Sequence, residues 1–162
     1  YRPGPKGVGG EERYYQHAAA QGNVEVVETK MMRGLAMSQP WAELLISGRK
    51  TIEVRTKNTS YRGWFYVYAA RKDTKGAVIE KFGFRDLPTG VIIGKAFLQD
   101  AKRYPDDAAF YRDAKAHLAT RAIIKLEGWE AKPKWGYSIT KVERLKPIPY
   151  RGMTGFFPVT LP

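Results

Sequence analysis

Apolar and polar residues change their period several times along the chain, and the changes mark out elements. Gly34–Met37 is a short apolar run of strand type, and after Ser38-Gln39-Pro40 the residues Trp41, Leu44 and Leu45 recur at helical spacing. That spacing puts them on one face of a helix. Ser38 is the expected N-cap, and Pro40 suits the first turn, where its missing N–H costs nothing. Gly48 falls just past the helix, where positive φ is favoured. Residues 51–56 read as a strand, which aims Thr51, Glu53 and Arg55 to one face with Lys50 at the turn beside them. Arg62-Gly63 reads as a turn. Trp64–Ala70 is uninterrupted apolar, as in a strand buried on both faces. Val91–Leu98 is another strand, with Gly94 allowing a bend or a close approach. A helix is predicted from Asp106 to about Ala119, capped by Asp106 or Asp107, with Phe110, Ala114, His117 and Leu118 on one face. Tyr137–Leu145 is a strand that Pro147 and Pro149 break, and Gly155–Thr160 closes the sheet.

The remaining segments are less regular. Residues 1–10 hold four glycines and two prolines, which predicts a flexible or extended arm. Residues 11–21 read as a short helix ended by Gly22, and 24–28 as an edge strand. Residues 71–90 read as a loop. Strands separated by Gly/Pro turns, with two well-marked helices, predict a small mixed β-barrel in an α+β chain. No internal repeat is visible, and 162 residues is the length of one domain.

Charge sharpens the picture. The net charge is +12, and residues 1–30 contribute nothing to it, holding four basic and four acidic residues. Residues 31–162 carry 24 basic against 12 acidic residues, an imbalance that attracts polyanions. There is no cysteine and only two histidines, His17 and His117, so no thiolate metal site exists and no metal or cofactor is expected. No run of 18 apolar residues and no signal-peptide shape is present, which leads to the expectation of a soluble, cytoplasmic protein without a membrane partner. The chain starts at Tyr1 rather than Met, as expected of a processed form or a piece of a longer protein.

The residues Gly48-Arg49-Lys50-Thr51-Ile52-Glu53-Val54-Arg55 contain the pattern Gly-x-Lys-x-x-Glu-x-Arg, and this resembles the signature of the ASCH domain family. The lead-in Leu35–Leu45 resembles the opening of that domain. Trp135 through Gly152, with Leu-x-Pro-Ile-Pro-Tyr-x-Gly, and Phe156-Phe157 resemble its C-terminal end. The resemblance covers roughly residues 32–162 and implies a small PUA-like mixed β-barrel with two or three flanking helices, leaving residues 1–31 as a partly flexible N-terminal arm. It also implies a cleft that presents Lys50, Glu53 and Arg55, and a function of binding RNA or modified bases.

Several aromatics sit beside bases, a texture suited to single-stranded RNA because bases stack on exposed rings while cations hold the backbone. The candidate RNA-binding residues are Lys50, Glu53, Arg55, Arg62, Tyr68, Arg71, Lys72, Lys134, Trp135 and Tyr137, against the alternative that the rings are core and Lys50, Glu53 and Arg55 an internal ion pair. Trp41, Phe65, Val67, Phe97 and Phe110 are assigned to the core, and His117 to a satisfied structural position. The competing function is an enzyme on the same cleft, with Lys50 and Glu53 catalytic. One form is a metal-independent ribonuclease. The other is an N4-acetylcytidine amidohydrolase, but that branch of the family has a threonine nucleophile where this chain has Glu53, and a carboxylate is no acyl-accepting hydroxyl. A third reading, a protein-interaction module, follows from an ASCH-type domain in a eukaryotic transcription coactivator.

Overall fold

The computed structural model describes residues 32–72 and 76–161. The arm, helix and strand expected within residues 1–31 lie outside the described residues. Six strands form one mixed sheet: β1 (Arg33–Met37), β2 (Ile52–Arg55), β3 (Gly63–Ala69), β4 (Val91–Arg103), β5 (Trp135–Pro149) and β6 (Phe156–Pro158). Their spatial order is β2-β5-β4-β3-β1-β6. Only β1 and β3 pair in parallel, in the register Gly34↔Tyr66 to Met37↔Ala69. The long antiparallel pair β4–β5 carries three register irregularities, and such bulges bend a strand and tighten its twist. The sheet curls into a half-barrel in which the edge strand β2 turns back toward β1 and β6.

Five short helices accompany the sheet among the described residues: α1 (Trp41–Ile46), α2 (Gly76–Lys81), α3 (Asp107–Arg112), α4 (Ala114–His117) and α5 (Arg121–Glu127). The concave face of the sheet holds the main core, where Ala42, Leu45 and Ile46 of α1 meet Leu35, Phe65, Val67, Ala96, Leu98 and Ile139. The other face of α1, Trp41 and Leu44, packs on Val78 of α2 and Ile123 of α5. α1 is therefore enclosed between sheet and helices. Val54 turns from β2 to Phe110, Ala119 and Ile124, which fixes the helical layer against the motif strand.

Several sequence expectations are corrected. Ser38 does not cap α1 with its side chain, and Pro40, after a cis Gln39–Pro40 bond, occupies the N-cap position. Gln39 Oε1 instead accepts the Glu43 N–H at 3.0 Å. The loop expected over 71–90 contains α2, whose Val78 is fully buried. The helix from Asp106 to Ala119 breaks at Asp113 into α3 and α4, and Leu118 is left-handed with φ 64°. The Asp106 side chain does cap α3, accepting the Ala109 N–H at 2.8 Å. Helix α5 was not foreseen, although Thr120 caps it and Gly128 ends it at φ 70°. Pro147 lies inside β5 rather than breaking it, and Pro149 is the strand's last residue. Pro147 falls in the register shift between Ile92 and Gly94 of β4, on a stretch of β5 that is beyond β2, and a bulge or free edge is where a missing N–H is tolerated.

Candidate functional site

The motif is built from the end of α1 into β2. Gly48 takes φ 81° and turns the chain, as its sequence position predicts. The Lys50 N–H then bonds back to Leu44 O at 3.0 Å, and the Thr51 N–H to Ala116 O at 2.9 Å. Both bonds hold the turn against α1 and the end of α4. Thr51 itself is exposed and precedes the strand, so it does not join the face that Glu53 and Arg55 share.

Lys50 is 2% exposed and Glu53 5%. Lys50 Nζ donates to His117 O at 2.7 Å, lies 3.7 Å from Glu53 Oε1 and sits 4.9 Å from the centre of the Trp41 ring. Glu53 Oε2 accepts from Arg55 Nη1 at 3.2 Å. Burial pushes the Lys50 ammonium down from 10.5 to about 8, against the upward pull of Glu53. The buried carboxylate thus has a cation on each side, as buried charges require.

Arg55 Nη1 also donates to Ala36 O at 3.0 Å. The N–H of the same alanine bonds Gly155 O at 3.1 Å. Arg55 therefore laces β2 to β1 across the gap that the curled sheet leaves. A cleft of about 330 Å³ lies at this seam. Lys50, Arg55, Lys72 and Lys132 line it against a single carboxylate, Glu53, and Trp41 and Trp129 contribute rings.

His117 is completely buried and stacks on Phe110 at 4.1 Å. Its Nδ1 accepts the Ala119 N–H at 2.9 Å, and its Nε2 lies 2.7 Å from Phe110 O, the pattern of a neutral ring protonated on Nε2. Burial holds its pKa below the ordinary value. Its service to the site is its carbonyl, which receives Lys50.

Of the ten candidate RNA-binding residues, the structure brings Lys50, Glu53, Arg55 and Lys72 to the cleft. The others lie elsewhere. Tyr68 points to the convex face, packed against Phe157 at 5.6 Å with its hydroxyl donating to Tyr150 O. Tyr137 is buried and donates to Lys57 O at 2.6 Å. Arg62 holds Thr59 O and Tyr61 O. Lys134 is buried and donates to Lys132 O at 3.0 Å. Trp135 pairs with Arg55 and packs at the rim of the main core. Arg71 is exposed and does not line the cleft. Among the rings assigned to the core, Trp41, Phe65 and Phe110 are buried, while Phe97 is half-buried beneath Lys141. Sequence reasoning missed Trp129, Thr56 and Thr154. The cap-and-stop pair Thr120 and Gly128 would have placed Trp129 directly after a helix.

A curled mixed sheet, flanked by short helices and split at a polar seam, is the α+β, PUA-like class of fold. The sequence matches the ASCH domain over residues 35–147, and the chain belongs to the ASCH domain family. Among solved structures it is similar to the ASCH protein of Zymomonas mobilis, with a TM-score of 0.54 at 15% identity over 72% of each chain. Two mutant forms of that protein are similar too. The serine-to-alanine form has a TM-score of 0.53 at 17% identity over 72% of each chain. The tyrosine-to-phenylalanine form has a TM-score of 0.54 at 14% identity, over 72% of this chain and 74% of that one. No curated protein matches the sequence. Among the described residues, no helix is long and apolar enough to cross a membrane, and no cluster of three His, Cys, Asp or Glu side chains suits a metal ion.

Proposed function

We propose that the seam cleft binds single-stranded RNA, accepting one unstacked or modified base. The observation that carries this reading is the lining: four cations and one carboxylate around a cleft of about 330 Å³ that also presents tryptophan rings. That volume is near the lower end of roughly 300–1,000 Å³ for small-molecule pockets. RNA modules take splayed bases onto aromatic rings and read their edges with polar groups. In this reading Lys72 and Lys132, both exposed, hold phosphate. Arg55 holds phosphate or a base carbonyl, Trp129 stacks, and Glu53 accepts a base N–H. Lys50 forms the floor, held by its hydrogen bond to His117 O and its ion pair with Glu53. Membership of the ASCH family and the +12 charge support the same reading.

The test is anisotropy of a short labelled RNA over a salt series. Lys72→Ala and Lys132→Ala should each flatten the slope of log K against log salt by about 0.7, the single-strand value per phosphate contact. Trp129→Ala should weaken binding by roughly 1–3 kcal/mol. Affinity unchanged in all three variants would refute the cleft as the RNA site.

A second reading, catalysis in the same cleft, is favoured by one observation. A buried lysine lies 3.7 Å from a buried carboxylate at the cleft, with burial lowering the lysine's pKa from its ordinary value, the arrangement that general acid–base catalysis uses. A denaturing gel of the same samples separates the two: fragments with wild type indicate a ribonuclease, and intact RNA a binding module. Release of acetate from N4-acetylcytidine would indicate the amidohydrolase, despite Glu53 at the threonine position.

A further inference from the structure

A second pocket of about 410 Å³ adjoins the cleft, bounded by Lys57, Asn58, Thr59, Tyr137 and Phe156. It shares Arg55, Thr56, Thr154 and Gly155 with the first, so these four residues form the partition between two chambers. The far wall is the loop 56–60, and its shape is fixed from several sides. Lys57 O accepts the Tyr137 hydroxyl at 2.6 Å, and Thr59 O accepts Arg62 Nη1 at 2.9 Å. Thr59 Oγ1 accepts the Tyr61 N–H at 3.1 Å, and Asn58 Oδ1 the Thr59 N–H at 2.8 Å. The side chains of Thr56, Lys57 and Asn58 remain exposed.

The partition carries a guanidinium and two hydroxyls, which are phosphate ligands. Two chambers joined across phosphate-binding groups match one particular shape, a phosphodiester with a nucleoside on either side. We infer that the site takes a dinucleotide step: one nucleoside enters the tryptophan-lined chamber, the bridging phosphate lies at Arg55, Thr56 and Thr154, and the neighbouring nucleoside occupies the chamber of the 56–60 loop. This rests on the RNA reading above and adds that the minimal ligand is two linked nucleotides, not a free nucleoside.

Calorimetry with the four ribonucleoside 3′-monophosphates and the four corresponding homodinucleotides tests it on the full chain. A monophosphate carries more negative charge than a dinucleotide, so general attraction favours the smaller ligand. The inference expects the reverse, with the best dinucleotide tighter by about tenfold or more, or about 1.4 kcal/mol. Lys57→Gln, at an exposed residue that lines only the second chamber and checked for an unchanged melting temperature, should remove that gain and leave monophosphate affinity in place. Equal affinity for the two ligand sizes, or a loss that falls equally on both, overturns the inference and leaves the RNA reading standing. Absence of binding to any of the eight ligands overturns both.

Discussion

Lys50 gives the most discriminating prediction, because the cost of burying it depends on pH. The ammonium is buried and its pKa falls from 10.5 to about 8. Below pH 8 the folded and unfolded chains both carry the proton, so the full penalty of burying the charge is present. Between pH 8 and 10.5 the unfolded chain binds more protons than the folded one, and stability from this group rises with pH. Above 10.5 neither state is charged and the penalty is gone. A shift of this size corresponds to about 3 kcal/mol. Lys50→Met keeps the length and apolar stem of the side chain while removing the titration. Urea unfolding of wild type and variant at half-unit steps from pH 7 to 10.5 gives the difference in stability at each pH, from which titration elsewhere in the chain cancels. Wild-type stability relative to the variant should rise by about 3 kcal/mol across the window. A flat difference would show that Lys50 titrates in the folded protein as it does in water, and the argument from burial would fail.

Glu53→Gln leaves Lys50 buried without its counter-charge, and the urea midpoint should report a loss of roughly 3 kcal/mol, the lower end for breaking a buried pair. His117 is depressed by burial, so the stability it allows should be lost as pH falls below its ordinary value near 6.5. Stability profiles from pH 7 to 5 should be steeper for wild type than for His117→Gln. A Cβ added at Gly94 would meet Glu143 O at 2.5 Å and Ile46 Cδ1 at 2.7 Å, so Gly94→Ala should cost about 1–3 kcal/mol of overpacking, read as a lower melting temperature.

What could be read from sequence was whatever depends on neighbours in the chain. Uninterrupted apolar runs gave β3 and the first part of β4, and Gly48 marked its turn, because burial on two faces and positive φ leave local signatures. The polar triad was legible as well, since a strand alternates and places Glu53 beside Arg55. The orientation of the aromatics was not legible. Tyr68 and Tyr137 each lie three positions from a basic residue in the sequence, but the face each one takes is fixed by sheet curl and strand register, and those are set by residues far away. Trp129 and Thr154 enter the cleft from segments distant in sequence, for the same reason. The break between α3 and α4 falls at Asp113, and α4 ends after one turn at Leu118 with φ 64°, a conformation unusual for leucine that no local pattern announces. Helix α5 was legible from Thr120 and Gly128 and was overlooked because its core-facing residues, Ile123 and Ile124, are few.

Arg55 ties the seam by a side chain where a closed barrel would have a ladder. The half-barrel is in that respect a split ring fastened by a clasp, and the clasp uses the very group that a ligand phosphate would take. An anion that drew the guanidinium from Ala36 O would remove the hydrogen bond that joins β2 to β1, so the width of the slit would respond to its occupancy. A ligand large enough to span the partition would then be held by a fold that adjusts its own girth around it.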